Sequence, residues 1–315
     1  MIFKNILLLI LILLLAFFLL VYGETGFSLE PSIIWELRLP KVLVCMFAGG
    51  MLAVAGLLMQ IFFQNPLAGP DVLGVSAGSS LFVAFWMMAS VGFSQTFLDW
   101  GGSMMSFLGA IFVFSILIFF VHKNMSRVSL IITGLLISSF ASSGISILVN
   151  MSQALQLKNY LAWSMGSFRN VTSPDLPRFI LLSVAATLPV LFFIKSLNQF
   201  LLSENYAKSM GVHIKRIRVI FITLAALQIS VVTFFCGPIG FIGIISPHLA
   251  RQFLKCSQLK ILLPAVFCIG ILLAFVAELI IVLNPTWSIS VNAILGLIGA
   301  PVIVIYLYRQ RHLSV

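Results

Sequence analysis

Side chains that act in catalysis or metal binding are few in this sequence and lie far apart. The four histidines have no carboxylate or cysteine at ligand spacing, so the sequence predicts no metal site. No Gly-Lys dipeptide occurs, which excludes a Walker A phosphate-binding loop. The four cysteines lie in or beside apolar runs without paired spacing, which favours packing over disulfide or metal-binding roles. We therefore predict a protein that is not an enzyme and binds no cofactor of its own.

Three segments instead interrupt the apolar pattern with polar residues, glycines and prolines. They are residues 64–78 (QNPLAGPDVLGVSAG), 203–218 (SENYAKSMGVHIKRIR) and 237–251 (GPIGFIGIISPHLAR). Irregular backbone at membrane depth needs cover from protein or a water-filled cavity, and discontinuous helices are common in transporters. The first segment predicts a gate or an ordinary inner loop. The second predicts a short docking helix or a basic loop lying on anionic lipid, and the third predicts a short, broken helix.

Composition decides the class of protein that carries these segments. Of 315 residues, 61% are hydrophobic and 8% are charged, whereas a soluble domain has about 25% charged residues. This excludes a cytosolic enzyme, a nucleic-acid-binding domain and a disordered protein. The net charge of +10 comes from short basic clusters between apolar runs, as expected beside anionic lipid rather than nucleic acid.

Ten long apolar runs predict an all-α, polytopic membrane protein with about ten transmembrane helices. We place the spans near residues 5–22, 41–63, 73–91, 101–121, 129–149, 176–195, 217–236, 239–250, 262–283 and 291–308. The eighth run is too short to cross the membrane alone. With the N-terminus inside, 13 of the 18 basic residues lie on inner segments and 5 on outer ones. This bias predicts that both termini are cytoplasmic and that the eighth run is a real element.

The motifs in these segments resemble those of the FecCD-type permeases, the membrane subunits of ABC importers for iron-siderophores, haem and vitamin B12. The matching stretches are LRLPK (37–41), NPLA (65–68), LGVSAG (73–78), WSMGS (163–167), GPIGFIG (237–243) with Pro247-His248, and GAP (299–301). They follow the family's order over most of the chain. The resemblance implies a single transmembrane permease domain over residues 1–315, in the cytoplasmic (inner) membrane.

The resemblance also implies partners. A second permease subunit would form a homodimer or heterodimer with the pore at its interface. Two cytosolic ATPase subunits would use ATP and Mg²⁺, and an extracytoplasmic substrate-binding protein would deliver the cargo. We also expect the chain to contact membrane lipid and to bind no nucleic acid.

Residue roles follow by position in the matched motifs. The cytosolic gate would comprise Asn65, Leu67, Lys123, Asn124, Met125 and Ser126. Coupling to the ATPase would involve Glu204, Ala207, Met210, Gly211, Val212, Lys215 and Arg218. Arg38 and Lys41 would dock the binding protein, unless they only anchor the chain at the membrane interface by snorkelling. The second outer arginine and the Glu-x-Pro-x-Gly motif that the family often carries near its end are missing.

Candidate pore-lining residues complete the predicted site. They are Met59, Gln60, Ser138, Ser142 and Glu278. Close helix packing is the alternative for the methionine and the serines. Glu278 is the carboxylate that the sequence places well inside a span, where it would face a cavity or partner, or else water near the outer helix end.

Two transport functions remain open at this point, and the glycine- and proline-broken segments disfavour a third interpretation, a structural membrane subunit with no transport path. The first is a permease subunit of an ATP-driven importer that moves an iron chelate, haem or corrinoid by alternating access. The second is a secondary transporter coupled to an ion gradient, which would need ion ligands near the midplane. The scarcity of charged residues inside the predicted spans favours the first.

Overall fold

The computed structural model describes residues 2–23, 26–89, 95–123, 125–202, 208–211, 213–284, 286 and 289–311. Within this part of the chain, twelve helices and one two-stranded ribbon are present. The helices are α1 (Ile2–Val21), α2 (Pro31–Phe63), α3 (Val75–Ala89), α4 (Gln95–His122), α5 (Arg127–Met151), α6 (Ala154–Ser164), α7 (Leu176–Phe192), α8 (Ile194–Leu202), α9 (Ile214–Cys236), α10 (Ile242–Leu254), α11 (Leu259–Leu283) and α12 (Val291–Arg311). The ribbon pairs β1 (Tyr22–Gly23) with β2 (Gly26–Phe27).

Each predicted span contains one of these helices, but they differ in length. Six described helices are long and apolar enough to cross a membrane: α1, α2, α5, α9, α11 and the Met104–His122 part of α4. A seventh candidate is the pair α7–α8, which bends by 60°. The helices α3, α10 and α12 occupy the remaining predicted positions. We call the end of the bundle where α2 ends and α5 begins the inner end, and the opposite end the outer end.

The long helix α2 forms the centre of the bundle. Its main neighbours are α9, α10 and α11, and residues 48–63 are buried throughout. Glycines permit the close approach: a Cβ on Gly56 would collide with the backbone of Gly243 on α10, and one on Gly49 would lie 2.5 Å from the Gly270 carbonyl oxygen on α11. In a membrane the hydrophobic effect does not drive helices together, because the surrounding lipid is also apolar. Small residues therefore promote helix packing by letting the backbones approach closely.

The helix α5 has the opposite character. Three of its residues are buried, while large apolar side chains such as Leu136 and Phe140 are exposed. This helix therefore has most of its surface free for lipid, a pore or another chain.

Candidate translocation path and docking surfaces

The chain turns sharply at the inner end of α2, where two gate residues were predicted. Gln64 adopts a left-handed conformation (φ 48°) that ends the helix, and its side chain donates to the Phe200 carbonyl. Asn65 Oδ1 then accepts a hydrogen bond from the Leu67 amide at 3.0 Å. Leu67 is 39% exposed, and Asn65 is half-buried. Leu67 is therefore an exposed side chain on a tight turn at the inner end of α2.

The other predicted gate segment joins α4 to α5 at the same end. Ser126 caps α5 by accepting from the Ser129 amide at 3.1 Å. Lys123 is exposed, while Met125 packs partly against the core. Asn124 lies outside the described residues. Phe200 on α8 links the two segments, since it contacts Gln64 through its carbonyl and the Arg127 guanidinium lies 5.8 Å from its ring centroid.

After this turn the chain folds back into the bundle. A Cβ on Gly243 would lie 2.5 Å from Pro70 and 2.8 Å from the Leu52 carbonyl oxygen, so Pro70 packs at the level of Leu52. Leu52 precedes the end of α2 by eleven residues, or about 16 Å of helix. The 3₁₀ turn Pro70–Leu73 is therefore re-entrant, and it carries the exposed carboxylate of Asp71.

The predicted pore serines lie on α5, directly after its contact with the re-entrant turn. A Cβ on Gly134 would collide with the Val72 carbonyl, which shows how closely the two elements pack. One turn further along α5, Ser138 is half-buried and donates to the Gly134 carbonyl at 2.9 Å. Ser142 is exposed. The small polar face of α5 is thus continuous with the re-entrant turn.

The other three pore-lining predictions need correction, because the structure buries their side chains inside the bundle. Met59 is fully buried in the core. Gln60 is 4% exposed, accepts from Arg251 at 2.7 Å and donates to the Ile244 carbonyl at 3.2 Å, so it holds α10 against α2. Glu278 is 1% exposed. These residues face inward because α2 and α11 have neighbouring helices on several sides.

A broken segment enters the bundle between α9 and α10. Phe241 has a positive φ of 67°, which is strained for a non-glycine residue, and it begins α10. Asn292 holds this segment: its Oδ1 accepts from the Gly240 amide at 3.0 Å, and its Nδ2 donates to the carbonyls of Pro238 at 2.7 Å and Met165 at 3.1 Å. One side chain therefore ties the starts of α10 and α12 to the end of α6.

At the outer end, Arg38 does not present its charge to the surface. The side chain is 3% exposed and follows a π-helical turn, Ile34–Arg38. Its guanidinium donates to the carbonyls of Leu20, Val21, Ser28 and Gly26. Arg38 therefore fastens the ribbon region to α2, and the structure does not support the predicted docking role for it.

Lys41 is also inward-facing, in a buried ionic cluster. Its ammonium lies 3.3 Å from Glu278 Oε1, and the Arg169 guanidinium lies 3.0 Å from the same oxygen. Lys41 is 8% exposed, whereas the Arg169 side chain is 33% exposed. The cluster joins α2, α11 and the loop after α6. In this conformation Lys41 serves helix packing rather than docking.

The predicted coupling region lies at the inner end and is described only in part. Glu204, Ala207 and Val212 lie outside the described residues. Met210 is 57% exposed, Gly211 adopts a positive φ of 82°, and Lys215 is exposed, while Arg218 is half-buried. A cavity of about 770 Å³ adjoins this region; it is lined by His122, Lys208, Gly211, His213, Ile214, Lys215, Arg216, Val219 and Ile220. The exposed side chains of Lys208, Lys215 and Arg216 make this surface basic.

Comparisons with known proteins assign this architecture. The model of the FecCD transport family matches residues 5–309. The chain belongs to the FecCD transport family. The vitamin B12 import system permease protein BtuC of Photorhabdus laumondii is 30% identical over 93% of this chain and 85% of its own. The hemin transport system permease protein HmuU of Yersinia pestis is 29% identical over 88% of this chain and 84% of its own.

A solved structure agrees with the family assignment. An inward-facing ABC transporter described as of the metal-chelate type superposes with a TM-score of 0.86 at 26% identity, covering 97% of this chain and 98% of that one. This FecCD chain is a multi-pass permease subunit of an ABC importer in the cytoplasmic membrane, and it is not an enzyme. The resemblance of its motifs to this family is confirmed.

Sequence reasoning missed three residues that the structure brings to the site. In the sequence, Asp71 follows a proline in a segment that resembles a loop. Only the re-entrant course of the chain after α2 places Asp71 at membrane depth. Arg169 reads as an ordinary outer loop residue, although it pairs with Glu278 across 109 positions. Asn292 was not predicted, and the signal that could have found it is a polar side chain at the first turn of an apolar helix.

Proposed function

We propose that this permease moves a bulky ferric chelate, haem or corrinoid inward by alternating access, with a ferric siderophore as the first cargo to test. The single observation that carries this proposal is the full-length match to the FecCD family, residues 5–309. The relatives named above are B12 and hemin permeases, and the similar solved structure is of the metal-chelate type. All three kinds of cargo are large and rigid.

The described geometry supports a path at a subunit interface. The helix α5 is largely exposed in the single chain, carries polar Ser142 among exposed apolar residues, and follows the gate segment 123–126. A second permease subunit facing α5 would cover its apolar residues and enclose its serines. We therefore propose a dimer with ten spans per subunit, one permease domain over residues 1–315 and both termini in the cytoplasm.

The inner surface supports an ATPase partner. The region 203–218 would fit a cleft of the ATPase, and two such subunits would hydrolyse ATP with Mg²⁺. Exposed Met210 and Lys215 are the described side chains that we expect to contact it. Closure of the ATPases would move this region relative to Leu67 and the 123–126 segment. Only a difference in stability between the two states drives such a change.

An extracytoplasmic binding protein would deliver the cargo at the outer end. Since Arg38 and Lys41 are buried, the exposed basic side chains at this end include Lys158 and Arg178, which pairs with Asp175. We propose that docking uses this outer surface, and that Arg38 and Lys41 contribute by holding its shape.

The test is uptake into proteoliposomes that contain the chain with its ATPase and binding-protein partners and ATP inside. A ferric siderophore, haem and cobalamin are supplied in parallel. Lys215→Glu should abolish ATP-dependent uptake, because it reverses a charge on the proposed coupling surface. The matched control Lys260→Glu, also exposed near the inner end, should retain it. Uptake by this chain alone under a proton or sodium gradient would instead establish a secondary transporter.

A further inference from the structure

Asp71 is a carboxylate at membrane depth with no counter-charge among the described residues. Pro70, its neighbour, packs at the level of Leu52, about 16 Å from the inner end of α2. The described basic side chains make no ion pair with Asp71, whereas Glu278 is neutralised by Lys41 and Arg169. An ionised group at this depth is costly unless it faces water or a partner.

The surroundings of Asp71 indicate what its exposed side faces. Asp71 Oδ2 would lie 3.4 Å from a Cβ on Gly240, so the carboxylate sits against the broken segment before α10. The next residues, Val72 and Gly74, pack against Gly134 of α5. Asp71 is exposed, as is Ser142, two turns beyond Gly134 on the same helix. Asp71 is therefore an exposed carboxylate on the turn that packs against α5, the helix that also carries Ser142.

We infer that Asp71 is a charge-selecting residue of the translocation path. Its carboxylate makes the path favourable for cargo that presents an ammonium group or hydrogen-bond donors, and unfavourable for anionic chelates. The inference rests on the proposed function, which it narrows from metal chelates in general to cationic or neutral ones. It also places a negative charge beside the exposed serines and apolar side chains of α5.

The first test measures this charge without transport or partners. Ser142→Cys is introduced into a Cys256→Ser, Cys268→Ser background, which leaves the buried thiols of Cys45 and Cys236. In membrane vesicles, its modification rates are compared for a trimethylammonium and a sulfonate thiosulfonate reagent of similar size. We expect the cation-to-anion rate ratio to fall about tenfold in Asp71→Asn, because a unit charge acts strongly in a poorly solvated path.

Two further variants separate charge from shape. Asp71→Glu keeps the charge and should keep the ratio, whereas Asp71→Ser should lower it as Asn does. Asp175→Asn removes an exposed carboxylate at the outer end and should leave the ratio unchanged. An unchanged ratio in both Asp71→Asn and Asp71→Ser would overturn the inference. So would a Ser142→Cys thiol that neither water-soluble reagent modifies, since that surface would then face lipid or protein.

The second test uses transport by the complete importer. Uptake is measured for a trishydroxamate ferric chelate with a free ammonium group, a neutral trishydroxamate chelate and a trianionic triscatecholate chelate. For each cargo, the Asp71→Asn rate is divided by the wild-type rate, which cancels the preference of the binding protein. We expect this quotient to be several-fold higher for the trianion than for the cation. Equal quotients for the three chelates would refute the inference. If the wild-type importer takes up none of the chelates in an ATP-dependent way, that result counts against the proposed function. The ratio of labelling rates from the first test then still decides the role of Asp71.

Discussion

Replacing Glu278 by glutamine should destabilise the outer part of the bundle. Glu278 is 1% exposed and its Oε1 is within 3.3 Å of the Lys41 ammonium and 3.0 Å of the Arg169 guanidinium. Glutamine keeps the volume and one acceptor oxygen but removes the negative charge. Lys41 would then be a buried cation with no compensating carboxylate.

The two ion pairs do not contribute equally. Removing one partner of a buried pair typically costs about 3–5 kcal/mol, because the other charge stays buried and unpaired. Arg169 is one-third exposed and keeps part of its hydration, so its pair adds under about 1 kcal/mol. The glutamine oxygen recovers about 1 kcal/mol as a hydrogen-bond acceptor. We therefore expect a net loss of about 2–5 kcal/mol, or about 3–8 °C in Tm for a chain of this size.

The assay is thermal unfolding of the purified chain in detergent, followed by a thiol-reactive dye that reports exposure of the buried Cys45 and Cys236. Asp175→Asn is the control, because its pair with Arg178 is largely exposed and should change stability by less than about 0.5 kcal/mol. The double variant Glu278→Gln, Lys41→Met removes both buried charges and should recover most of the loss. The reasoning fails if Glu278→Gln behaves like Asp175→Asn, or if the double variant is less stable than Glu278→Gln.

Three other outcomes follow from close contacts. Gly56→Ala should lower stability by about 3 kcal/mol or more, because its Cβ would collide with backbone. Gly102→Ala should be tolerated in the same melting assay, because its Cβ would lie 3.6 Å from Met87 Cε. Asn292→Ala should lower the free energy of unfolding by about 1–3 kcal/mol and slow transport, since three backbone groups lose their hydrogen-bond partner. The control Asn284→Ala removes one hydrogen bond, to the Ile280 carbonyl one turn earlier, and should change neither stability nor transport. Arg38→Lys should increase protease cleavage near the ribbon, because an ammonium cannot hold four carbonyls. Unchanged cleavage would show that these hydrogen bonds do not hold the ribbon in place.

The helices and the family were predictable because their signals are local. A run of about 20 apolar residues indicates a membrane helix whatever surrounds it, and each predicted span contains a helix. The turn after α2 was also predictable, since Pro66 disfavours helical backbone at the residue before it. Motifs such as GPIGFIG combine glycine and proline, which restrict or free the backbone independently of distant contacts.

The orientation of side chains within the helices was not predictable in the same way. A span that is apolar on all faces has no periodic pattern to show which face is buried. Met59 and Gln60 were therefore predicted on the pore, although neighbouring helices bury them, whereas Ser138 is half-buried and Ser142 is exposed, so that their pore-lining role stays a prediction.

The sequence by itself determined the class of protein, the position of its helices and the family to which it belongs. Only the tertiary structure decided that Arg38 and Lys41 are buried, that Glu278 is neutralised, and that Asp71 returns to membrane depth. The physical reason is distance along the chain. Lys41 and Glu278, or Asp71 and Gly240, come within contact only when helices far apart in sequence pack together, and the energy of a buried charge depends on those neighbours rather than on the residue itself.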